Sequence, residues 1–367
     1  MRDPLLVAAG GGGDAIAALF IHHALSAPGS QRPVIASFSW DRFLLDPQPG
    51  PRTPDDFRGL RPITPRNWEV TRDSSLISGA RSTLPLLARL TPARLVLLDP
   101  RGGAQGLREQ LAELASALTA PAITLVDAGG DITGQGDEPE LLSPLADSIT
   151  LAALDGLGLP ANVVVAGPGL DGELPAATVT QRCSSLAATT GQLTPADIRP
   201  CLPALNRHPS EATTLLAAAT LGVRGLAEIR DRGALVPVTG QSSTFHVIEP
   251  GALLKINLIA GQMTGTTSLD DAEQVTLSIR GTSELSHERR KTSGSPDRAA
   301  MPGRAELAKR YAAYRRAAAS RGVSILTFRH LAEVIGLTEY GPSLIRDLAG
   351  PDAHPDLAIC QLPHTSR

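Results

Sequence analysis

The chain has 367 residues, enough to bury one large core or two ordinary ones. Hydrophobic residues make up 42% and charged residues 19%, while aromatics reach only 3%, so a globular core must be built mainly from Leu, Val, Ile and Ala. A formal charge of -3 supplies no global field for a polyanion, which argues against nucleic acid as a partner.

In chain order, short and nearly continuous apolar runs are predicted as strands at Leu5 to Ala9, Val34 to Phe38, Leu95 to Leu98, Ile123 to Val126 and Val163 to Ala166. Between them, helical spacing of apolar residues marks Asp14 to Leu25, Leu84 to Leu90, Leu107 to Leu118 and Leu145 to Leu154. Alternation of this kind predicts an α/β fold with a Rossmann-like parallel sheet flanked by helices. The Pro-dense stretch Trp40 to Val70 lacks periodicity and reads as an ordered excursion over the sheet edge.

From Pro175 the pattern turns helical, with helices expected at Ala176 to Thr190 and Ser210 to Arg230. "ALVPVTG" and "TFHVIEP" read as strands and "LDDAEQVTLSIRGTSEL" as one helix. Ser286 to Gly303 is charged, then rich in Ser, Gly and Pro, and is expected to be a mobile linker. A helix at Arg304 to Arg321 and a strand then helix in "VSILTFRHLAEVIGL" follow. Residues 1–175 are thus expected to form a ligand-binding core, with a mostly helical 176–367 packed on it or continuous with it.

Cys183, Cys201 and Cys360 are far apart and form no CxxC pair, a usage that fits reduced thiols. No basic n-region precedes the first apolar run and no run reaches bilayer length, so a cytoplasmic chain without membrane contact is expected.

Three strand ends carry the chemistry. "AAGGGGDAIAAL" places Gly11, Gly12, Gly13 and Asp14 between a strand and a helix, where backbone NH groups and the helix dipole favour an anion. It is neither the GxGxxG fingerprint nor a Walker A loop, and Asp14 could equally be an N-cap. "VDAGGDITGQGDEPELLSPLADS" gathers Asp127, Gly129, Gly130 and Asp131, with Ser143 and Pro144 opening a helix and Asp147 in its acidic first turn. "AGPGLDGELP" adds Gly169, Asp171, Gly172 and Glu173, for which turn capping stays an alternative. Parallel strands point their carboxyl ends to one edge, so the three turns are expected to share a crevice. Clustered carboxylates repel without a cation, a proton or ligand hydroxyls between them. Asp14, Asp127 and Asp131 make an oxygen-rich set suited to Mg or Mn, and equally to ribose hydroxyls. His22 and His23 are adjacent on a helix and read as structural.

"GGGGDAIAA", "FSWDRFLLDPQPGPR", "VDAGGDITGQGDEPELLSPLADS", "GPGLDGEL", "PSEATTLLAAATLGVRGLAEIRDRG" and "SELSHERRKT" together resemble the domain-of-unknown-function family numbered 1152, found in archaea and actinobacteria. The resemblance runs in order through nearly the whole chain, except for the looser "TSGSPDRAAMPG", and implies no established reaction. It implies that Gly11, Gly12, Gly13, Asp14, Trp40, Arg42, Asp127, Gly129, Gly130, Asp131, Glu138, Ser143, Asp147, Gly169, Asp171, Gly172 and Glu173 fall in family motifs, as do Ser210, Glu211, Glu288, Arg289 and Arg290. "DAGGDITGQG" is also faintly similar to the glycine-and-acid turn of D-glutamate cyclases, which implies a related metal or carboxylate site.

"SHERRK" offers Arg289 and Arg290 for phosphate, although cations at a helix end are also favourable without a ligand. Ser210 and Glu211 read first as helix-start residues. The leading expectation is an enzyme that binds a nucleotide or phosphorylated metabolite over the glycine turns. Asp127, Asp131 and Asp171 would be its catalytic carboxylates, and a divalent metal or general base its tool, in a metal-assisted hydrolase, transferase or lyase. The alternatives are a cyclase or lyase acting on a carboxylated, amino-acid-like substrate, and a non-catalytic metabolite sensor. The expected partner is a small molecule, with self-association into a homo-oligomer left open. No GxSxG elbow is present, so acyl transfer through serine ranks below these.

Overall fold

The computed structural model describes residues 4–26, 32–293 and 301–363. Its first half runs β1 (Leu5–Ala8), α1 (Gly12–Leu25), β2 (Val34–Ser37), β3 (Phe57–Arg58), β4 (Arg61–Thr64), β5 (Asn67–Val70), β6 (Ser75–Leu76), α2 (Thr83–Leu90), β7 (Arg94–Leu97), α3 (Gly103–Leu118), β8 (Ile123–Ala128), α4 (Pro144–Leu154) and β9 (Ala161–Ala166). It continues with α5 (Ala176–Leu186), β10 (Ala187–Gln192), α6 (Pro195–Ile198), α7 (Leu202–Leu205), α8 (Glu211–Thr220), β11 (Gly225–Ile229), β12 (Ala234–Val238) and β13 (Thr244–Ile248). The remainder is α9 (Pro250–Leu254), α10 (Leu258–Met263), α11 (Leu269–Arg280), α12 (Glu284–Ser293), α13 (Arg304–Ser320), β14 (Ile325–Thr327), α14 (Phe328–Ile335), α15 (Pro342–Ala349) and β15 (Ile359–Gln361).

The main sheet is mixed, in the order β10-β13-β9-β8-β1-β2-β7-β5-β4. Its centre, β9-β8-β1-β2-β7, is parallel throughout, as the five predicted strands require. Both faces are covered because side chains alternate along each strand: Leu6 and Ala8 enter the apolar cluster that includes α1, while Leu5 and Val7 enter the one that includes α3 and α4. β1 leads to β2 on one side, whereas β8 leads to β9 on the other, so the strand order reverses between β1 and β8. That reversal opens a crevice at the carboxyl ends of the two strands.

The sheet edges are antiparallel. In the Trp40 to Val70 excursion, β4 and β5 form a hairpin that extends the sheet beyond β7, with Pro62 on the edge strand, where no donor is needed. The opposite edge is built by β13 and β10, from the later part of the chain.

The long helices expected in the later half are shorter than predicted. α5 stops at Leu186 because Thr189, Thr190 and Gly191 enter β10, where the Phe245 ring lies against Gly191. α8 stops at Thr220, and Leu226 and Ala227 then point to different clusters from β11. The helix expected through "LDDAEQVTLSIRGTSEL" breaks at the left-handed Gly281, which separates α11 from α12. Ser286 to Ser293, expected within a linker, are helical, and residues 294–300 lie outside the described residues. A second sheet, β12-β11-β14-β15, carries its own apolar cluster with α13 to α15. No helix among the described residues is long and apolar enough to cross a membrane.

Candidate functional site

At the β1/β8 crevice the three turns meet in one open cleft with about 160 Å³ of space for water-sized molecules. Gly10 to Asp14 lie along it after β1, Asp127 at the end of β8 and Asp131 just after it, and Asp171 and Glu173 after β9. α4 adds Asp147, the excursion adds Trp40, Asp41 and Arg42, and α12 adds Glu284 and Glu288. Ten carboxyl side chains therefore face three guanidiniums, those of Arg42, Arg230 and Arg329, an imbalance that protons or a cation must relieve.

Three of the acids cluster. Asp127, Asp131 and Asp147 each offer an oxygen within 4.8 Å of the others, and all three are buried. Burial and then repulsion from neighbouring carboxylates, Asp14 and Asp171 in the case of Asp127, raise each of them well above the usual carboxylate range. Asp127 Oδ2 is buried and has no hydrogen-bond partner among the described residues. Three buried carboxylates at this spacing could hold a metal ion.

Asp14, expected as a metal ligand, is not in this triad. Its Oδ2 accepts the Gly10 amide at 2.8 Å and its Oδ1 accepts the Ala128 amide at 3.1 Å, which ties the ends of β1 and β8 together. Burial pushes its pKa up to about 7 against those hydrogen bonds. Asp147, read from sequence as part of an acidic first turn, takes the third place. Asp171 bridges two turns by accepting the Asp131 amide at 3.2 Å and the Glu173 amide at 2.7 Å, and burial raises it to about 6.

Only the first glycine turn faces the cleft with its backbone. Gly129, Gly169 and Gly172 spend their amides on Ala166, Gly129 and Gly169 carbonyls, so the phosphate contact expected of them gives way to close packing. A Cβ on Gly129 (φ 127°) would stand 2.5 Å from Asp171 Cβ, and one on Gly130 would strike Val179. Gly12 and Gly13 open α1 with no side-chain cap.

Arg289 and Arg290 also differ from expectation. α12 turns Glu284 and Glu288 to the cleft, four residues apart on one face, so the next two residues fall elsewhere. Arg289 pairs with Glu273 at 2.7 Å, and Arg290 reaches only Ser286 and Thr282 among the described residues. The cleft's cations come instead from Arg42, from Arg230 after β11, and from Arg329 at the start of α14.

Each of those arginines is held differently. Arg230 pairs with Glu173 at 2.5 Å and donates to the Asp171 carbonyl at 2.7 Å. Burial alone would raise Glu173, but Arg230 and the Ser143 hydroxyl hold it below the usual range. The Ser143 hydroxyl, expected to cap α4, is drawn to Glu173 instead. Arg329 pairs with Glu211 at 3.0 Å, and Glu211 also accepts the Arg230 amide. Arg42, exposed to the cleft, makes no hydrogen bond or ion pair among the described residues; desolvation by the surrounding cleft, then Arg329 and Arg230, lower its pKa against Glu288 and Glu173. Glu288 accepts from the Trp40 indole at 3.0 Å and the Gly50 amide at 2.7 Å, which anchors the segment carrying Arg42.

Residues 5–292 match the family model described as a protein of unknown function, DUF1152. The chain belongs to the DUF1152 family. The matched stretch holds every cleft residue named above except Arg329. Membership of DUF1152 carries no activity with it, so the chemistry has to be argued from the cleft. No curated protein and no solved structure matches the chain.

His208, Arg230, Glu284 and Arg329 were not picked out by sequence reasoning. Arg230 ends a strand and Arg329 starts a helix, positions where a side chain can reach a crevice, but neither sits in a glycine-rich turn. His22 and His23 bond Ser26 Oγ and the Asp197 carbonyl, as structural residues would.

Proposed function

We propose that the chain is an enzyme acting on a phosphorylated small molecule, nucleotides included, held between a divalent ion on one wall of the cleft and anion-binding groups on the other. The observation that carries this reading is that one cleft is lined by both a carboxylate triad and arginines. Asp127, Asp131 and Asp147 present crowded oxygens, of which Asp127 Oδ2 has no hydrogen-bond partner among the described residues, while Arg42 forms no ion pair among them. A ligand that brings a phosphate and a metal satisfies both.

An ion on the triad, with Mg or Mn the chemical fit, would polarise a phosphoryl oxygen or lower the pKa of a bound water. The protein's own part is to hold charge and move protons. Asp171 and Asp14, raised to about 6 and about 7, sit where a carboxyl can exchange a proton near neutral pH. Arg42 and Arg329 neutralise the substrate's negative charge.

A cyclase or lyase acting on a carboxylated substrate draws support from Glu284, which burial raises to about 8 and which keeps one oxygen unpartnered as a candidate proton donor. The test is mass spectrometry of small molecules that co-purify with the full chain, followed by turnover of phosphorylated metabolites with Mg or Mn, read by phosphorus NMR. Metal-dependent turnover lost in Asp127→Asn supports the proposal. Metal-independent turnover of a free carboxylate would favour the lyase, and tight binding without turnover a sensor.

A further inference from the structure

His208 lines the cleft with one ring nitrogen bonded and the other without a partner among the described residues. It lies between α7 and α8, is 3% exposed, and turns its ring toward the start of α1: a Cβ on Gly12 would stand 3.0 Å from His208 Nε2. Its Nδ1 accepts the Ser210 amide at 3.1 Å. Nδ1 therefore carries no proton, and a neutral ring must carry it on Nε2. Burial keeps the ring neutral, with its pKa down to about 3. The resulting Nε2–H donor is buried and has no partner among the described residues. Orphaned buried donors are rare in folded proteins, and this one lines a cleft.

The acids at this end of the cleft are already committed. Asp41 accepts from the Thr83 amide and hydroxyl, Glu211 from Arg329 and the Arg230 amide, and Glu288 from Trp40 and Gly50. The groups left over all favour negative charge: the Nε2–H, the uncapped first turn of α1, and Arg42.

We infer that His208 Nε2–H, the Gly12 and Gly13 amides and Arg42 form an oxyanion subsite that reads a tetrahedral phosphoryl group. Donors arriving from an imidazole, a helix end and a guanidinium match a group with three free oxygens better than a planar carboxylate with two. His208 is a specificity-determining residue here, a neutral donor that contributes direction while Arg42 contributes charge. The inference rests on the anionic-substrate half of the proposed function and is independent of its metal half.

The test is nitrogen NMR of the histidine-labelled full chain, titrated with inorganic phosphate and with acetate, beside separate titration with Mg. The expected result is a saturable phosphate-induced shift at His208 Nε2, with acetate at least ~10-fold weaker. His208→Phe should weaken phosphate by ~10-fold or more, His208→Gln, which can still donate, by clearly less, and neither should alter Mg affinity. An Nε2 signal indifferent to phosphate in the wild type, or phosphate binding unchanged in His208→Phe, overturns the subsite. So does acetate binding as tightly as phosphate. Mg binding that survives such a failure leaves the metal half of the proposed function standing; Mg binding that is absent while phosphate shifts His208 removes that half alone.

Discussion

Asp14 accepts the Ala128 amide at 3.1 Å, joining residues 114 positions apart at the point where the sheet reverses its strand order. With Gly10 as its second donor, this carboxylate holds the floor of the cleft, whereas Asp127 beside it keeps an oxygen with no partner. Two aspartates in one cluster should therefore respond oppositely to mutation. Asp14→Ala leaves two strand-end amides without an acceptor and is expected to cost about 2 kcal/mol by chemical denaturation. Asp127→Asn removes a repelled charge, so the metal-free protein should be as stable as wild type or more so, while Mn affinity falls by more than about 10-fold.

The carboxyl cluster predicts the sign of a pH effect. Asp14, Asp171 and Glu284 are raised from 3.8, 3.8 and 4.5 to about 7, 6 and 8, and Asp127, Asp131 and Asp147 also move up. The folded chain then holds protons that the unfolded chain has released, so stability present below about pH 4 is lost progressively up to about pH 8. In EDTA, Tm should be lower at pH 8 than at pH 5.5. Added Mg or Mn should raise Tm more at the higher pH, because the ion replaces those protons. A metal-free Tm that climbs over this range contradicts the assignment.

Arg230 is the counter-ion of a fully buried Glu173 side chain. Arg230→Met strands that charge and should destabilise by ~3–5 kcal/mol. Adding Glu173→Gln should recover much of the loss in the double mutant, which urea titration of the four variants would show.

The glycine turns separate by cost. Gly129→Ala puts a methyl group against Asp171 in a left-handed backbone and should cost more than about 3 kcal/mol. Gly79→Ala also sits at positive φ, 80°, but has open space around it, and should cost only about 1 kcal/mol. Thermal melts of the two variants give the comparison directly.

The parallel centre of the fold was legible because its strands are buried on both faces and read as continuous apolar runs, while α1 to α4 keep helical spacing. The later helices were overextended because alanine-rich sequence runs smoothly into β10 and β11, where pairing with β13 and β14 decides the conformation. In the cleft, the convergence of three strand ends followed from parallel topology alone. Which acid belongs to the triad did not, since it depends on where α1 and α4 place the oxygens of Asp14 and Asp147. Arg289 and Arg290 misled because basic residues at a helix end need no ligand, and Arg329 escaped notice because it is brought in from 200 positions beyond the second glycine turn by the pairing of β14 with β11.

The central claim is that one cleft holds a divalent ion and a phosphoryl group on opposite walls. Anomalous scattering from crystals of the full chain grown with Mn and inorganic phosphate tests it most directly. The account predicts a Mn peak among Asp127, Asp131 and Asp147 and phosphate density against Gly12, His208 and Arg42. An ordered cleft with no Mn peak at the triad, those carboxylates instead hydrogen-bonded to one another, would contradict it.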